Sequence, residues 1–225
     1  METREIREPP LTRSPAPIAR LVGATVILDD RPVLRRIDID LPPGITVLRG
    51  PNGSGKTTAL RALAGLLPLA RGEREVPSDV LYLGHRPQLL HGLTGRENLG
   101  FFSAFRGRTS RAALAFAPAG SRIDAALERW GVRGEAGRPV ERLSAGQRRR
   151  VALARLELEM CALALLDEPF AELDDEASAL LRASLVHLAA LGSAIVVASH
   201  GHHDLDEIAT RVYGLRDATA VEDGA

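Results

Sequence analysis

Hydrophobic and polar residues alternate early in the chain in the way that a β-strand requires. In the stretch 33–41, Ile37, Ile39 and Leu41 lie on one side of the predicted strand and charged residues lie on the other, which is typical of a strand with one buried face. Later, short apolar runs lie between stretches with helical spacing. The predicted strands are 19–28, 33–41, 45–49, 80–83, 163–166, 193–198 and 211–215, and the predicted helices include 56–67 and 175–191. Buried strands that alternate with helices predict an α/β fold with a mainly parallel sheet.

A different pattern occupies residues 97–142. Strand signals stop there, and Ile123, Leu127 and Trp130 recur at the spacing of one helix face. This pattern predicts a helical subdomain inserted into the α/β core. The predicted divisions of the chain are a loose arm rich in Pro, Arg and Glu over 1–17, one domain over 18–220 and a short tail over 221–225.

Composition narrows the class of protein. Hydrophobic residues make up 45% of the 225 residues, and 29 basic residues balance 29 acidic ones. A formal net charge of zero argues against a protein that binds nucleic acid through a basic surface. The single cysteine, Cys161, cannot form an intramolecular disulfide, which favours a reducing compartment. The N-terminal residues lack the apolar run of a signal peptide, and the longest weakly polar stretch, 188–199, is shorter than the roughly 20 residues that span a bilayer. We therefore expect a domain that is soluble by itself and reaches a membrane only through a partner.

The chain contains a single lysine, Lys56, within the sequence GPNGSGKTT at 50–58. This stretch matches the phosphate-loop pattern G-x-x-x-x-G-K-[ST] between a predicted strand and a predicted helix. Its glycines allow backbone N–H groups to converge on phosphate oxygens, and the helix N-terminus adds partial positive charge. We expect Lys56 to bind the β- and γ-phosphates and Thr57 to offer its hydroxyl to Mg²⁺. The residues predicted here to bind ATP are Gly50, Pro51, Asn52, Gly53, Ser54, Gly55, Lys56, Thr57 and Thr58. The alternative, a glycine-rich turn before a helix, does not account for the lysine in its place, and the α/β fold is accordingly predicted to be a P-loop NTPase core.

An acidic pair follows a later apolar strand. The strand predicted at 163–166 ends in Asp167, Glu168 and Pro169. Parallel strands deliver their C-terminal residues to the edge of the sheet where ligands bind. We expect Asp167 to hold Mg²⁺ and Glu168 to polarise the attacking water as general base. A surface acid pair after a buried strand is the plain alternative, which the phosphate loop upstream disfavours.

A second helix start of the same kind lies downstream. Residues 143–147, the signature segment, read LSAGQ, in which Ser144 is a natural N-cap and Gly146 allows a close approach of another backbone. One nucleotide in one chain does not need two phosphate-seeking helix ends. With the phosphate loop, the signature segment and the acidic pair in this order, residues 19–216 resemble the nucleotide-binding subunits of ABC transporters.

The resemblance implies a head-to-tail dimer in which the signature segment of one chain closes on the ATP held by the other. The implied contacts to the partner's ATP are Ser144, Ala145, Gly146, Gln147 and Asp174, with Ala145 standing where a glycine is usual. Residues 171–174 resemble the loop that crosses the dimer interface. His200, after the strand 193–198, matches the histidine that contacts the γ-phosphate. The implied catalytic residues are therefore Lys56, Glu168 and His200, and the implied ligands are ATP and Mg²⁺.

Two positions depart from the family pattern. Leu28 stands near the place of an aromatic residue that stacks on adenine, so strict adenine preference is in doubt. The glutamine that usually contacts Mg²⁺ and water is displaced, because Arg86 occupies its usual place and Gln88 follows two residues later. We predict that Gln88 binds ATP and the metal, and the alternative is that Arg86 takes over. The short segment between Gly72 and Val80 predicts a small, trimmed antiparallel subdomain.

Within the family, four strings are most similar to the ATPase subunit of the haem exporter of cytochrome c biogenesis. They are YLGHRP at 82–87, LTGRENL at 93–99, LSAGQRRRVALARL at 143–156 and LDEPF at 166–170. The resemblance implies ATP hydrolysis coupled to transport, a peripheral position on the cytoplasmic side of the cell membrane, and an integral membrane permease docked near 86–105. The nucleotide-dependent dimer is either a homodimer or a pair with a paralogue, and no nucleic acid is bound.

Other functions remain as alternatives. A soluble ABC-type ATPase acting on nucleic acid or ribosomes would usually carry a coiled-coil insertion or a second ATPase domain. A non-hydrolysing dimerisation module is disfavoured by the complete set of Lys56, Asp167, Glu168 and His200. The arginines 148–150 after the signature segment are expected to form a solvated cationic face. His202 and His203 are expected to be solvated too, since no spacing of acids or cysteines supports a metal site.

Overall fold

The computed structural model describes residues 16–107, 119–201 and 203–223. Strands and helices alternate along most of these ranges. The strands are β1 (Ala19–Leu28), β2 (Arg31–Leu41), β3 (Gly44–Arg49), β4 (Arg71–Glu75), β5 (Val80–Leu83), β6 (Leu163–Asp167), β7 (Ala194–Ser199), β8 (Arg211–Arg216) and β9 (Thr219–Asp223). The helices are α1 (Lys56–Leu63), α2 (Gly95–Gly107), α3 (Ala119–Arg129), α4 (Ala145–Leu153), α5 (Arg155–Leu158) and α6 (Asp175–Ala190), with short 3-10 turns at Val140–Arg142 and His203–Glu207.

The predicted parallel sheet is present as six strands in the order β5-β6-β7-β3-β8-β9. All neighbouring pairs from β5 to β8 are parallel, and only β8 and β9 are antiparallel. Every residue of β6 and β7 is buried, which matches the apolar runs at 163–166 and 194–198. The C-terminal ends of β3, β6 and β7 therefore lie at the same edge of the sheet.

Side chains of the central strands alternate between two hydrophobic layers. Leu166 and Val197 belong to the layer that packs against the helices, whereas Leu165 and Val196 belong to the layer that packs against α1 and the smaller sheet. All four have no exposed surface. Complete burial of such a side chain contributes about 1.5–3 kcal/mol, so the register that sets the strand ends is strongly fixed.

The small antiparallel sheet contains a strand that the sequence pattern did not predict. Its order is β2-β1-β4, and β4, with the sequence RGERE, is exposed at every position. An exposed edge strand has no apolar alternation by which to be recognised, and β4 forms because it pairs with β1. Arg20 and Glu75 face each other in this pairing and form an ion pair at 2.7 Å.

The predicted tail at 221–225 is wrong for residues 221–223. These residues belong to β9, which pairs antiparallel with β8 across a turn in which Asp217 and Ala218 have φ of 49° and 66°. The turn uses non-glycine residues in the left-handed region, and Val221 is 63% exposed, so neither a turn signal nor a buried face identified the strand. The predicted N-terminal arm lies almost entirely outside the described residues.

The region 97–142, predicted as a helical subdomain, contains α3 and most of α2, and its residues 108–118 lie outside the described residues. Leu99 and Trp130 are buried in the helical layer of the core, and the indole N–H of Trp130 donates to Glu157 Oε1 at 3.1 Å. Within the described ranges, none of the helices is both long enough and apolar enough to cross a bilayer.

Candidate functional site

The loop between β3 and α1 is shaped by two glycines. Gly50 and Gly55 have φ of 149° and 103°. A Cβ on Gly50 would lie 2.3 Å from the carbonyl oxygen of Leu215, and a Cβ on Gly55 would lie 2.8 Å from Leu34 Cδ2. Both positions therefore require glycine for conformation and for space. Residues 50–55 fold back at the edge of the sheet and lead directly into α1.

The ammonium of Lys56 lies inside this loop. Its Nζ donates to the carbonyl oxygens of Gly50 at 2.7 Å and Pro51 at 3.1 Å. The residue is 6% exposed. A positive charge is thus held at the N-terminus of α1, whose free backbone N–H groups also favour an anion.

An oxygen pair lies beside the lysine. The hydroxyl of Thr57 donates to the carboxylate of Asp167 at 2.9 Å and 3.1 Å. Asp167 is the last residue of β6 and is 2% exposed. Among the described residues, its hydrogen-bond partner is this hydroxyl and not a cationic side chain. A buried carboxylate next to a hydroxyl is an arrangement of hard oxygen ligands that fits Mg²⁺, which also keeps waters and phosphate oxygens.

A second pair joins the ends of β6 and β7. Glu168 Oε1 lies 2.8 Å from His200 Nδ1. The backbone of Glu168 has φ of 48° and its N–H donates to the carbonyl oxygen of Ala198 at 3.0 Å. A glutamate in the left-handed region is strained, and such strain is common where a side chain must be aimed at a site.

These groups surround one pocket of about 520 Å³, which we call the edge pocket. It has the size of a small-molecule site. The predicted site residues that line it are Asn52, Gly53, Gly55, Lys56, Thr57, Thr58, Asp167, Glu168 and His200. The other predicted phosphate-loop residues, Gly50, Pro51 and Ser54, lie in the loop behind this lining. The pocket therefore combines a cation, an oxygen ligand pair and a carboxylate–imidazole pair.

Gln88 and Arg86 are both outside the lining of the edge pocket. Gln88 is exposed, and its amide nitrogen lies beside Gly84, 3.2 Å from the position of a Cβ there. Arg86 lines a different pocket, together with Arg148 and Glu172. The structure thus does not bring the predicted Gln88 to the phosphate loop.

His85 lines the edge pocket instead, and the sequence reasoning missed it. His85 follows β5, a neighbour of β6, by two residues. The rule that identified Asp167, that residues after parallel strands meet at one edge, applies equally to His85.

Among the described residues, the lining of the edge pocket includes no Phe, Tyr or Trp. Val33 contributes the apolar part. Leu28 is 38% exposed and is not part of the lining. The weaker base stacking and the looser base preference implied by Leu28 remain predictions.

The signature segment begins α4 with a complete capping box. Ser144 Oγ accepts from the backbone N–H of Gln147 at 3.1 Å, and the Gln147 side chain accepts from the Ser144 N–H at 2.8 Å. A Cβ on Gly146 would lie 2.9 Å from the carbonyl oxygen of Glu172. Asp174 caps α6 by accepting from Ala177 N–H at 2.9 Å. Ser144, Ala145, Gly146, Gln147 and Asp174 all lie outside the lining of the edge pocket.

The predicted solvated face of arginines 148–150 is wrong. Arg149 is 3% exposed and donates to the carbonyl oxygens of Gly84, at 3.2 Å, and of His85. Arg150 pairs with Asp174, and Arg148 donates to the carbonyl oxygen of Leu143 at 2.6 Å. Burial lowers the pKa of Arg149, and the nearby carboxylates, first that of Glu172, oppose this shift. Successive helical residues point in different directions, so each arginine meets different neighbours. His202 lies outside the described residues.

Comparisons with known proteins agree with this geometry. The sequence profile described as ABC transporter matches residues 34–171. The chain is 46% identical over 158 residues to the cytochrome c biogenesis ATP-binding export protein CcmA of Paracoccus denitrificans, covering 70% of each chain. It is 40% identical over 185 residues to the protein of the same name in Pseudomonas putida, covering 76% of this chain and 84% of that one.

The fold agrees as well. A solved ATP-binding subunit of an ABC transporter matches with a TM-score of 0.81 at 19% identity, over 92% of this chain and 89% of the other. A dimeric ATP-binding cassette solved with ADP and phosphate matches with a TM-score of 0.80 at 21% identity, over 91% and 97% of the two chains. The family profile covers more than half of this chain, and the two relatives are 46% and 40% identical over 70% and 76% of it. The chain therefore belongs to the ABC transporter family, as an ATP-binding and ATP-hydrolysing subunit.

Proposed function

We propose that this chain powers a membrane exporter that serves cytochrome c biogenesis, with haem as the exported compound, and that the edge pocket is its catalytic site. One observation carries the assignment of the site. The pairs Thr57–Asp167 and Glu168–His200 meet Lys56 in a single pocket at the C-terminal edge of the parallel sheet. The relatives that support the transport role are named as export proteins of cytochrome c biogenesis.

Each group has a role that its chemistry supports. Lys56 and the backbone N–H groups of the phosphate loop bind the β- and γ-phosphates of ATP. Thr57 and Asp167 hold Mg²⁺, which supplies charge neutralisation on the phosphate oxygens. Glu168 accepts a proton from the attacking water, whose oxygen bonds to the γ-phosphorus while the bond to the β–γ bridging oxygen breaks. His200 holds the carboxylate of Glu168 in place and lines the pocket in which the γ-phosphate would lie.

The catalytic site is completed by a second copy of the chain or by a paralogue. The free N-terminus of α4 and the residues 144–147 do not reach the edge pocket of their own chain. A helix N-terminus favours the negative charge of phosphate. One similar cassette has been solved as a dimer. A head-to-tail dimer would place Ser144 and Gly146 of each chain, with Asp174 nearby, against the ATP of the other.

A groove near α2 provides a docking surface for an integral membrane permease subunit. Phe101 and Phe105 are 49% and 65% exposed, and their rings stack at 6.4 Å. With Phe102, whose ring lies 3.8 Å below the guanidinium of Arg155, they line a groove of about 500 Å³. Exposed aromatic clusters of this kind mark interaction sites. Docking there would hold the chain at the cytoplasmic face of the cell membrane.

The substitution Glu168→Gln tests both halves of the proposal. The amide keeps the size of the side chain but cannot take a proton, so we expect ATP binding to persist and turnover to fall on the order of 100-fold or more. In cells that lack the gene, the wild-type gene should restore covalent haem attachment to c-type cytochromes and the Glu168→Gln gene should not. Haem staining of cytochromes in gels measures this. Wild-type turnover by the variant would remove the base assignment, and normal cytochromes in the deletion strain would remove the transport role.

The double substitution Phe101→Ser with Phe105→Ser tests the proposed docking surface in the same two assays. It lies away from the edge pocket, so the purified variant should hydrolyse ATP as the wild type does. The same variant should fail to restore the cytochromes, because it cannot bind the membrane subunit. Full restoration would place the docking surface elsewhere.

A further inference from the structure

The loop that follows β5 is attached to α4 through a buried arginine. Arg149, on α4, donates from its two terminal nitrogens to the carbonyl oxygens of Gly84 and His85. These two carbonyls belong to consecutive residues, so the planar guanidinium fixes the direction of the chain at this point. Charge-assisted hydrogen bonds from arginine are stronger than neutral ones. The contact therefore fixes the backbone of His85, a residue that lines the edge pocket.

Burying the charged side chain of Arg149 carries a large desolvation cost for a contact that would be only structural. Only 3% of the Arg149 surface is exposed to solvent. Its Nε has no hydrogen-bond partner among the described atoms. A buried guanidinium is costly unless nearby charges offset its desolvation. The carboxylates that offset it are those of Glu172, Asp167 and Glu168, and the last two line the edge pocket. The cation is thus retained between the acids of the site and the loop that carries His85.

The same helix contacts the other parts of the composite site. Its N-terminus is the signature segment, and Gly146 packs against the backbone of Glu172. Arg150, one residue after Arg149, pairs with Asp174. A shift of α4 would therefore move the 84–85 backbone with it. Because Gln88 and Arg86 lie outside the edge pocket, His85 is the residue of this loop that the shift would move relative to bound phosphate.

We propose that His85 contacts the terminal phosphate of bound ATP, and that Arg149 is a positioning residue which ties this contact to the helix that begins with the signature segment. The inference rests on the proposed assignment of the edge pocket as the ATP site. A neutral imidazole carries one N–H donor, which can stabilise negative charge that develops on the γ-phosphate oxygens during hydrolysis. The contact between His85 and the phosphate would then depend on the position of α4.

The test measures kcat and KM for ATP with the purified full chain carrying His85→Ala, Arg149→Lys or both. His85→Ala should lower kcat on the order of 10- to 100-fold, as for the loss of one transition-state donor, with little change in KM. Arg149→Lys keeps the charge but not the fork, and should lower kcat by about 10-fold. In the His85→Ala background, Arg149→Lys should change kcat by less than about 2-fold, because the two residues act through one contact.

Three controls separate the possible outcomes. His187→Ala, an exposed histidine on α6 far from the edge pocket, should turn over ATP as the wild type does. Thermal unfolding shows whether Arg149→Lys is folded, and Arg149→Met replaces it if it is not. Lys56→Ala tests the site itself: if it hydrolyses ATP normally, the proposed site fails and not only this inference.

Two results would overturn the inference while the proposed site stands. One is inactive Lys56→Ala together with wild-type kcat in His85→Ala. The other is a loss from Arg149→Lys that is equally large with and without His85, which would show that the arginine acts only on stability or through another group. A loss in Gln88→Ala with none in His85→Ala would return the role to Gln88.

Discussion

At the scale of single residues, the contacts of Lys56 explain why one lysine stands among arginines. Its ammonium is surrounded by the carbonyl oxygens of Gly50 and Pro51 within a loop that leaves the residue 6% exposed. A lysine presents a compact charge on a flexible stem, whereas arginine presents a wide planar fork. The loop has room for the compact ammonium of a lysine and not for the wider guanidinium of an arginine. When phosphate binds, the same ammonium can turn from the carbonyls to the phosphate oxygens without leaving the loop.

The substitution Lys56→Arg tests this reasoning about shape, since it keeps the charge. We expect the affinity for ATP or kcat to fall so that kcat/KM drops on the order of 100-fold, because the guanidinium cannot occupy the space between the two carbonyls without opening the loop. Binding of a fluorescent ATP analogue and steady-state turnover measure the two effects. The control is Arg61→Lys, a change between the same two side chains later in α1. Full activity of Lys56→Arg would show that charge alone suffices.

The residue scale also shows what the sequence could and could not predict. Lys56, Thr57, Asp167 and Glu168 were predicted from a spaced motif or from their place after a strand, whereas His200 was implied by the resemblance to the family. The structure brings all five into one pocket. The three arginines after the signature segment look alike in sequence. Their partners differ because neighbouring positions on a helix point about 100° apart. Only the packing of α4 against the rest of the chain decides which arginine is buried, and no local pattern contains that information.

At the scale of elements, the N-terminus of α4 has two roles, a cap that stabilises the helix and a proposed contact with phosphate. Ser144 and Gln147 form a reciprocal cap with hydrogen bonds of 3.1 and 2.8 Å, which satisfies backbone N–H groups at the helix start. The same end of the helix is proposed to bind the phosphates of a second chain. The cap therefore stabilises the helix and leaves the remaining N–H groups free for that contact.

Two substitutions of Ser144 separate the capping role from the proposed phosphate contact. Ser144→Ala removes the side-chain cap, and we expect it to lower the free energy of unfolding by about 1 kcal/mol. Ser144→Asp keeps a cap of equal quality, so stability should be close to that of the wild type, but its carboxylate would face the partner's phosphates. We expect Ser144→Asp to lose ATP turnover more completely than Ser144→Ala, although it is the more stable of the two. Chemical denaturation and steady-state turnover measure both properties, and the reverse order of activities would show that the segment contributes only the cap.

Two of the edge strands, β4 and β9, were the least predictable part of the fold. The strands β1, β2, β3 and β5 to β8 were recognised from apolar alternation or apolar runs, since each has at least one buried face. The strand β4 was missed because all its positions are exposed, and β9 because only Ala220 among its residues of described burial is partly buried. The pairing of each depends on a neighbour that is distant or reached by an irregular turn. Neither edge strand contributes a residue to the edge pocket. The errors in the fold therefore did not carry over into the site.

At the scale of the whole molecule, the two halves of the proposed catalytic site lie on separate surfaces of one chain. The phosphate loop and the acidic pair line the edge pocket, and the N-terminus of α4 lies outside it. If the proposed composite site is correct, a chain by itself binds ATP with an incomplete set of contacts. We expect turnover to rise more steeply than in proportion to protein concentration, because two chains must meet at each site.

Mixing two inactive variants tests the composite site directly. Lys56→Ala disables the phosphate-loop half and Ser144→Asp disables the signature half, so each variant alone should be inactive. In an equal mixture, the mixed dimer contains one site with the Lys56 of one chain and the Ser144 of the other. If sites act independently and chains pair at random, about a quarter of wild-type turnover should return. The matched control mixes Lys56→Ala with Glu168→Gln. Both changes lie in the same half, so no mixed dimer has an intact site and no activity should return. Equal recovery in both mixtures, or none in the first, would exclude a site shared between two copies of this chain.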